Sequence, residues 1–359
     1  MEAKVDMTTA NVSPFEIAGR SIGGSHPPLV VAELSGNHNG SKERALTLIR
    51  EIARTGAGAV KFQTYTPETI TISSARPDFL IEKGLWAGRT LYDLYQDAHT
   101  PWEWHEDMFA VARGEGLIAF STPFDTTAID LLERLGAPVH KVASFEIVDL
   151  ELVAAIARTG KPMIVSTGMA SLEEIGEAVE VARRNGCAQI CLLHCTSAYP
   201  TPVAEANLSK IALLRDKFGV QVGLSDHTMG PVAPIAAIAL GACVIEKHVT
   251  LKRADGGPDA EFSLEMSELK ELVDAVAAAH AALGSAAEGR TASEAGNVIF
   301  RRSIYAVADI KAGDVFSREN VRVIRPGYGL APKHLSDVMG KKASADIARG
   351  TALQWPLVS

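Results

Sequence analysis

The sequence predicts an α/β fold, a (β/α)8 TIM barrel followed by a small C-terminal β-rich domain, and three observations carry that expectation. From Leu29 onward, short β-branched apolar runs alternate with helical patterns, and the alternation repeats eight times. Polar residues gather at the C-terminal end of almost every apolar run, the end at which a barrel carries its chemistry. After residue 300 the pattern changes to short strand-like pieces with a weak internal echo, VADIKAGDVF (307–316) against SADIARGTAL (344–353).

Taken in order, the expected strands are LVVAEL (29–34), AVKFQT (59–64), LIAFST (117–122), VHKVAS (139–144), PMIVST (162–167), QICLLH (189–194), VQVGLS (220–225) and CVIEKH (243–248). Between them lie amphipathic segments such as RALTLIREIARTG and SLEEIGEAVEVARRNG, many ending in glycine, the usual residue after a helix. Eight such units in about 260 residues fit a closed barrel. An open doubly wound sheet is the alternative, but the first turn reads ELSGNHNGS and lacks the spaced glycines of GxGxxG. One connection, 65–101, is far longer than the rest and leaves the active end of the second strand. It reads as a lid or substrate-binding segment, or as a satellite core built on Trp86, Tyr92 and Tyr95. The expected organisation is a barrel over 15–285, a polar linker over 286–299 and a compact module over 300–359. A module that small is near the lower limit of independent stability.

Composition narrows the function. The chain has 359 residues, 47% hydrophobic and 22% charged, as a folded globular protein should. Its net charge of -8 and lack of a basic run argue against nucleic acid, so an anionic substrate must be held by local cations. No run of about 18 apolar residues predicts a membrane span, and the first residues lack a signal-peptide profile, so the expected location is the cytoplasm. Cys187, Cys191, Cys195 and Cys243 form no CxxC pair and read as reduced, buried thiols.

The strand ends carry the chemistry. In order they present Glu33 and Asn37, Lys61 and Gln63, Ser121 and Thr122, Lys141 and Ser144, Ser166 and Thr167, then His194, Thr196, Ser197 and Tyr199. The last two units add Ser225, Asp226, His227 and His248. A lysine inside a strand is costly to bury without an anion, so Lys61 and Lys141 point to an anionic ligand. With the hydroxyls of Thr122, Ser144, Ser166 and Ser225 nearby, a phosphate is the better account of Lys141. His227 and His248 lie one βα unit apart, on adjacent strands about 4.8 Å apart, and so can share one divalent ion with open positions for substrate and water. Two imidazoles without a thiolate pair favour Mn or Mg over structural zinc. Period-two alternation turns Glu246 the same way as His248, as an orienting partner one layer down. The same alternation sends Lys247 the other way, toward a helix or solvent.

These motifs together resemble the sialic-acid-type synthases, which condense phosphoenolpyruvate with an open-chain acetamido sugar. The resemblance rests on AELSGNHNGS, VKFQT, FSTPFD, HKVASFE, IVSTGM, LLHCTSAYPTP, GLSDHT, IEKHVT and GGPD, and covers the chain from about Phe15 to Ser359. The final residues, with IRPGYG (324–329), are similar to that family's antifreeze-like (SAF) domain. The resemblance implies metal ligands at His227 and His248, with Mn, Mg or Co as the ion. It also implies phosphoenolpyruvate contacts at Lys61, Thr122, Lys141, Ser144, Ser166 and Ser225. Sugar and intermediate contacts fall on Glu33, Gln63, Tyr199 and Asp259, and Arg325 is implied to reach the partner's barrel in a domain-swapped homodimer. Ser197 departs from the asparagine that many members carry. With GLWAGRTLYDLYQDAHTPWEWH and the FRRS before the last domain, this departure looks most like the pseudaminic acid branch, whose sugar is 2,4-diacetamido-2,4,6-trideoxy-altrose. N-acetylneuraminate and legionaminate synthases share the chemistry.

The expected catalytic set is Glu33, His227 and His248. Glu33 is read as the base for the attacking water, with Asp226 or a metal-bound hydroxide as alternatives. Two rivals remain: a Schiff-base aldolase using Lys61 or Lys141, and a sugar- or ice-binding protein on an inactive barrel. The second predicts a degraded set of strand-end residues, and the set here is intact.

Overall fold

The computed structural model describes residues 12–285 and 289–359. Residues 1–11, where no signal peptide is expected, and 286–288, at the head of the expected linker, lie outside them. The chain divides into two compact units at the Gly284–Ser285 boundary.

The first unit opens with a hairpin absent from the expected elements, β1 (Phe15–Ile17) against β2 (Arg20–Ile22). Three-residue strands carry too few alternations to read. Eight strands follow: β3 (Leu29–Glu33), β4 (Ala59–Thr64), β5 (Ile118–Pro123), β6 (His140–Val142), β7 (Met163–Ser166), β8 (Ile190–Cys195), β9 (Gln221–Asp226) and β10 (Val244–His248). They pair in parallel in chain order and β10 closes on β3, so the barrel is complete and the open-sheet alternative is excluded. Most expected strands are shifted by about one residue; the fourth is half its expected length, because the chain turns after Val142 and leaves Ser144 in the following loop.

Local sequence explains the helices. The first, Lys42–Thr55, starts where the Ser41 side chain accepts the Arg44 amide and stops at Gly56, whose φ of 84° only glycine adopts freely. It buries Ala45, Leu48, Ile49 and Ile52, a stripe at helical spacing, against the outer face of the barrel. The outward strand residues, such as Val30, Val60, Leu192 and Ile245, complete that layer. Inward residues behave differently along the barrel axis. Leu29, Val31, Ala59, Phe120, Ile164, Leu193 and Val244 form an apolar plug with Phe15, Ile17 and Ile22 of the hairpin. Two residues further along each strand the interior turns polar, and that change of layer makes the site.

The 65–101 connection is ordered around the helices Pro67–Ile70 and Leu91–Ala98, a 3-10 turn at Pro77–Phe79 and a bridge between Leu80 and Thr90. In the second unit, the described part of the expected linker carries a helix, Ala292–Ala295, and a 3-10 turn, Gly296–Phe300. Beyond it, β11 (Ser303–Ala306) pairs with β12 (Val321–Ile324) around a core of Ile304, Ile310, Phe316, Val321, Ile347 and Leu353. The sequence echo is a pseudo-twofold. Ile310 and Ile347 exchange both backbone hydrogen bonds at 2.8 Å. Asp309 accepts the Arg349 amide at 2.8 Å, and Asp346 accepts the Ala312 amide at 2.9 Å.

Gly223 in β9 marks a tight point of the barrel, since a Cβ there would press into the Val244 carbonyl and the Leu193 side chain. Gly223→Ala should cost about 1–3 kcal/mol by overpacking, read as a lower midpoint in chemical denaturation; an unchanged midpoint would show that the barrel breathes at this level.

Candidate active site

Adjacent strands bring Glu33 opposite Lys61, and Glu246 opposite Ser225, in the polar layer above the plug. The Lys61 ammonium lies 2.8 Å from Glu33 Oε2 and 3.1 Å from Glu246 Oε1, and Lys141 Nζ reaches the same Glu246 oxygen at 3.3 Å. Lys61 also donates to Thr122 Oγ1 at 3.4 Å, and Ser225 Oγ donates to Glu246 Oε1 at 3.5 Å. Gln63 Nε2 and the Ser35 amide both donate to Glu33 Oε1, at 3.2 and 3.1 Å. The lysines are therefore buried against carboxylates.

Burial and charge oppose each other in this network. Burial pushes Glu246 up, but Lys141 and Lys61 outweigh it and hold the carboxyl down to about 2. Burial pulls Lys61 down, and Glu246 with Glu33 more than reverses it, so Lys61 stays an ammonium. Lys141, with one carboxylate partner, is pulled below the usual lysine range by burial. Burial raises Glu33 against the pull of Lys61, which brings it closer to the range useful to a general base.

Above the network opens a cavity of about 470 Å³, lined by Lys61, Lys141, Ser144, Ser166, Glu246 and both histidines among others. Ser166 Oγ, Glu246 Oε2, Glu146 Oε2 and His248 Nδ1 are buried there without hydrogen-bond partners. Polar atoms left free along a cavity lining are places where water or a polar ligand can bond. Ser144 Oγ accepts the Gly168 amide at 3.1 Å.

The rings of His227 and His248 stand 5.3 Å apart, with Asp259 Oδ2 3.8 Å from His248 Nδ1. Burial, then the neighbouring His227 and the lysines, keep His248 well below the usual histidine range, so it is a neutral donor. His227 shares its Nδ1 with the Thr196 carbonyl at 3.2 Å. Its pKa is raised, because Cys195, that carbonyl and Asp226 outweigh burial. Among the described residues no group of three or more His, Cys, Asp or Glu side chains is arranged to hold a metal. Two imidazoles, one with a buried unpartnered nitrogen, fit an ion that takes its remaining ligands from water and substrate. Tyr199 packs on His227 at 4.5 Å and on Phe262 at 5.2 Å, and Asp259 accepts the Ser35 hydroxyl.

Other strand-end residues serve the scaffold. Asn37 ties the first loop to Val249 O and Ser263, His194 bonds the Ala206 carbonyl, Ser121 bonds Thr64, and Thr196 and Thr167 bond carbonyl oxygens. Lys247 is not at solvent: it is 1% exposed on the outer face, paired with Asp226, which is 3% exposed, and bonded to the Thr228 carbonyl. Asp226 also accepts the Thr228 amide and hydroxyl. Its carboxylate is fully engaged away from the cavity, which removes it as the catalytic base. Glu246, expected as an orienting partner, instead bridges both lysines. Arg325 belongs to the second unit, exposed just past β12.

Two cavity residues escaped the sequence reading. Glu146 follows the short β6 in a loop, and burial pushes its carboxyl up to about 7. Cys195, read as a reduced, buried thiol, lies 3.8 Å from His227 Nδ1; burial raises it, but His227, Ser144 and Ser197 outweigh burial and bring it down to about 7.

Paired charges at the strand ends around a deep cavity define a (β/α)8-barrel enzyme. The chain belongs to the NeuB family, whose model matches residues 48–288, and the SAF domain model matches 301–359. It is 46% identical over 325 residues to the pseudaminic acid synthase of Campylobacter jejuni, covering 90% of this chain and 95% of that protein. It is 42% identical to the pseudaminic acid synthase of Helicobacter pylori, covering 91% and 96%. The crystal structure of an N-acetylneuraminic acid synthetase from Leptospira borgpetersenii, in complex with citrate, superposes with a TM-score of 0.72 at 32% identity, covering 80% of this chain and 95% of that one.

Two outcomes test the electrostatics. Lys247→Met leaves Asp226 buried without its cation and should cost about 3–5 kcal/mol, while the double variant Lys247→Met with Asp226→Asn should regain much of it; denaturant midpoints decide. For Glu146, folding raises the carboxyl from its ordinary 4.5 to about 7, so the native state binds more protons between those values and its stability falls as pH rises through that window. Glu146→Gln should therefore stabilise the protein relative to wild type at pH 8 and have less effect at pH 4.5, measured by denaturation at both.

Proposed function

We propose that this chain condenses phosphoenolpyruvate with open-chain 2,4-diacetamido-2,4,6-trideoxy-altrose and water, giving the nine-carbon 2-keto acid pseudaminic acid and phosphate. The observation that carries the reading is the pair of buried lysines sharing Glu246 beneath a cavity whose serine, carboxylate and imidazole atoms lack partners. The likeness to the two bacterial pseudaminic acid synthases supports the choice of sugar.

Lys61 and Lys141 hold the carboxylate and phosphate of phosphoenolpyruvate, with Ser144, Ser166 and Ser225 as hydroxyl donors and Thr122 supporting Lys61. His227 and His248 would hold a divalent ion, Mn, Mg or Co, which would supply Lewis acidity at the sugar aldehyde. The C3 carbon of phosphoenolpyruvate forms a bond to the aldehyde carbon as the carbonyl π pair moves to its oxygen, which takes up a proton, and positive charge builds at C2, where Glu33 and the bound phosphate oppose it. Glu33 then takes a proton from water as its oxygen bonds C2. The hemiketal C–O bond to phosphate breaks with its electron pair leaving on phosphate, and the C2 hydroxyl gives up its proton, leaving the 2-keto acid. Tyr199, Gln63 and Asp259 position the sugar. Arg325 is assigned to the site of a second copy, which makes the active species a homodimer with exchanged C-terminal domains.

Glu33→Gln should lower kcat about 10²–10⁴-fold, the range of a lost general base, with little change in phosphoenolpyruvate affinity. His227→Ala should reduce phosphate release to background while calorimetry still records phosphoenolpyruvate binding; full turnover in the histidine variant would remove it from the reaction.

A further inference from the structure

The cavity has two chemically different sides. Its floor is the charged network and the histidines, while the 65–101 connection supplies a wall of Ile70, Ile81, Lys83, Trp86, Leu91, Leu94 and Tyr95. Apart from Lys83 and Tyr95, that wall offers little to a hydroxyl. The donor of Trp86 is already spent on the Pro258 carbonyl at 2.9 Å, and four of the other side chains are aliphatic.

The aromatic contacts give the cavity a direction. Tyr199 lies 4.5 Å from His227, and Trp86 lies 5.8 Å from Tyr199, so a path leads from the imidazoles out to the connection. With the aldehyde carbon at the histidines, the far end of an open-chain hexose runs along this path to the apolar wall. A hydroxyl desolvated against such a wall loses its water without gaining a partner, whereas a methyl gains contact.

We infer that Ile70, Ile81, Trp86 and Leu91 form a subsite for the methyl terminus of a 6-deoxy sugar, and that this wall makes the enzyme prefer a C6 methyl to a C6 hydroxymethyl. The inference rests on the proposed condensation and adds to it the residues that select the sugar. The connection is then a specificity wall, and Trp86 its anchor, tied through Pro258 to the loop that carries Asp259.

The test compares kcat/KM for the 2,4-diacetamido-2,4,6-trideoxy sugar with that for the same sugar bearing a 6-hydroxyl, by phosphate release. An apolar pocket discriminates at this level by about 10–200-fold, and the wild-type enzyme should prefer the deoxy sugar within that range. Ile81→Asn and Leu91→Asn should shrink the ratio at least tenfold, mainly by losing the deoxy sugar, with KM for phosphoenolpyruvate unchanged. Equal rates for the two sugars in the wild type, or variants that lower both sugars alike, would overturn the subsite while leaving the condensation standing. No phosphate release from either sugar would overturn the condensation, and the subsite with it.

Discussion

The carboxylate of Glu246 between the ammoniums of Lys61 and Lys141 is the interaction on which the site depends. Two buried lysines cannot share a barrel interior without an anion between them, since each alone would be driven to lose its charge. One oxygen of Glu246 meets both, while Glu33 takes the second side of Lys61. The network is thus near charge balance before any ligand enters. Lys141 has one carboxylate where Lys61 has two, and it faces the cavity beside the unpartnered Ser166 hydroxyl. On the proposed reading, an incoming phosphate would complete Lys141 rather than compete for it.

The same strand that brings Glu246 inward sends Lys247 outward, where the helices leave no water. Asp226, opposite Lys247 in the strand register, answers that charge. The Ser225–Glu246 hydrogen bond inside and the Lys247–Asp226 ion pair outside therefore fix β9 and β10 at the height where His227 and His248 emerge. The consequence is mechanical: the Asp226 carboxylate grips Thr228 on the far side of His227, and the Thr201 amide bonds the His227 carbonyl at 2.9 Å. The imidazole is held by its own backbone.

Much of this was legible in the sequence, for a physical reason. Polar residues inside apolar runs have few explanations, so Lys61, Lys141, Ser166, Ser225 and the two histidines stood out, and the closed barrel followed from eight repeats. Glu246 was visible as an inward residue, yet its distance from Lys141, 105 positions away, is set only by barrel closure. Glu146 lies in a loop with no periodicity to place it, and its raised pKa comes from burial that only the fold supplies. Lys247 had the right direction, but alternation reports which face a residue takes and not what meets it there, so its pairing with Asp226 was not legible. The pseudo-twofold in the C-terminal unit was visible as an echo; that its two isoleucines pair with each other was not.

The central claim is that these lysines are held as anion-binding ammoniums rather than as imine-forming amines. Burial without a full complement of carboxylates leaves Lys141 the more susceptible of the two. Incubating the protein with pyruvate and borohydride, followed by mass spectrometry of its peptides, tests the claim directly. The account predicts no adduct at either residue; a reduced pyruvate adduct on Lys141 or Lys61 would contradict it.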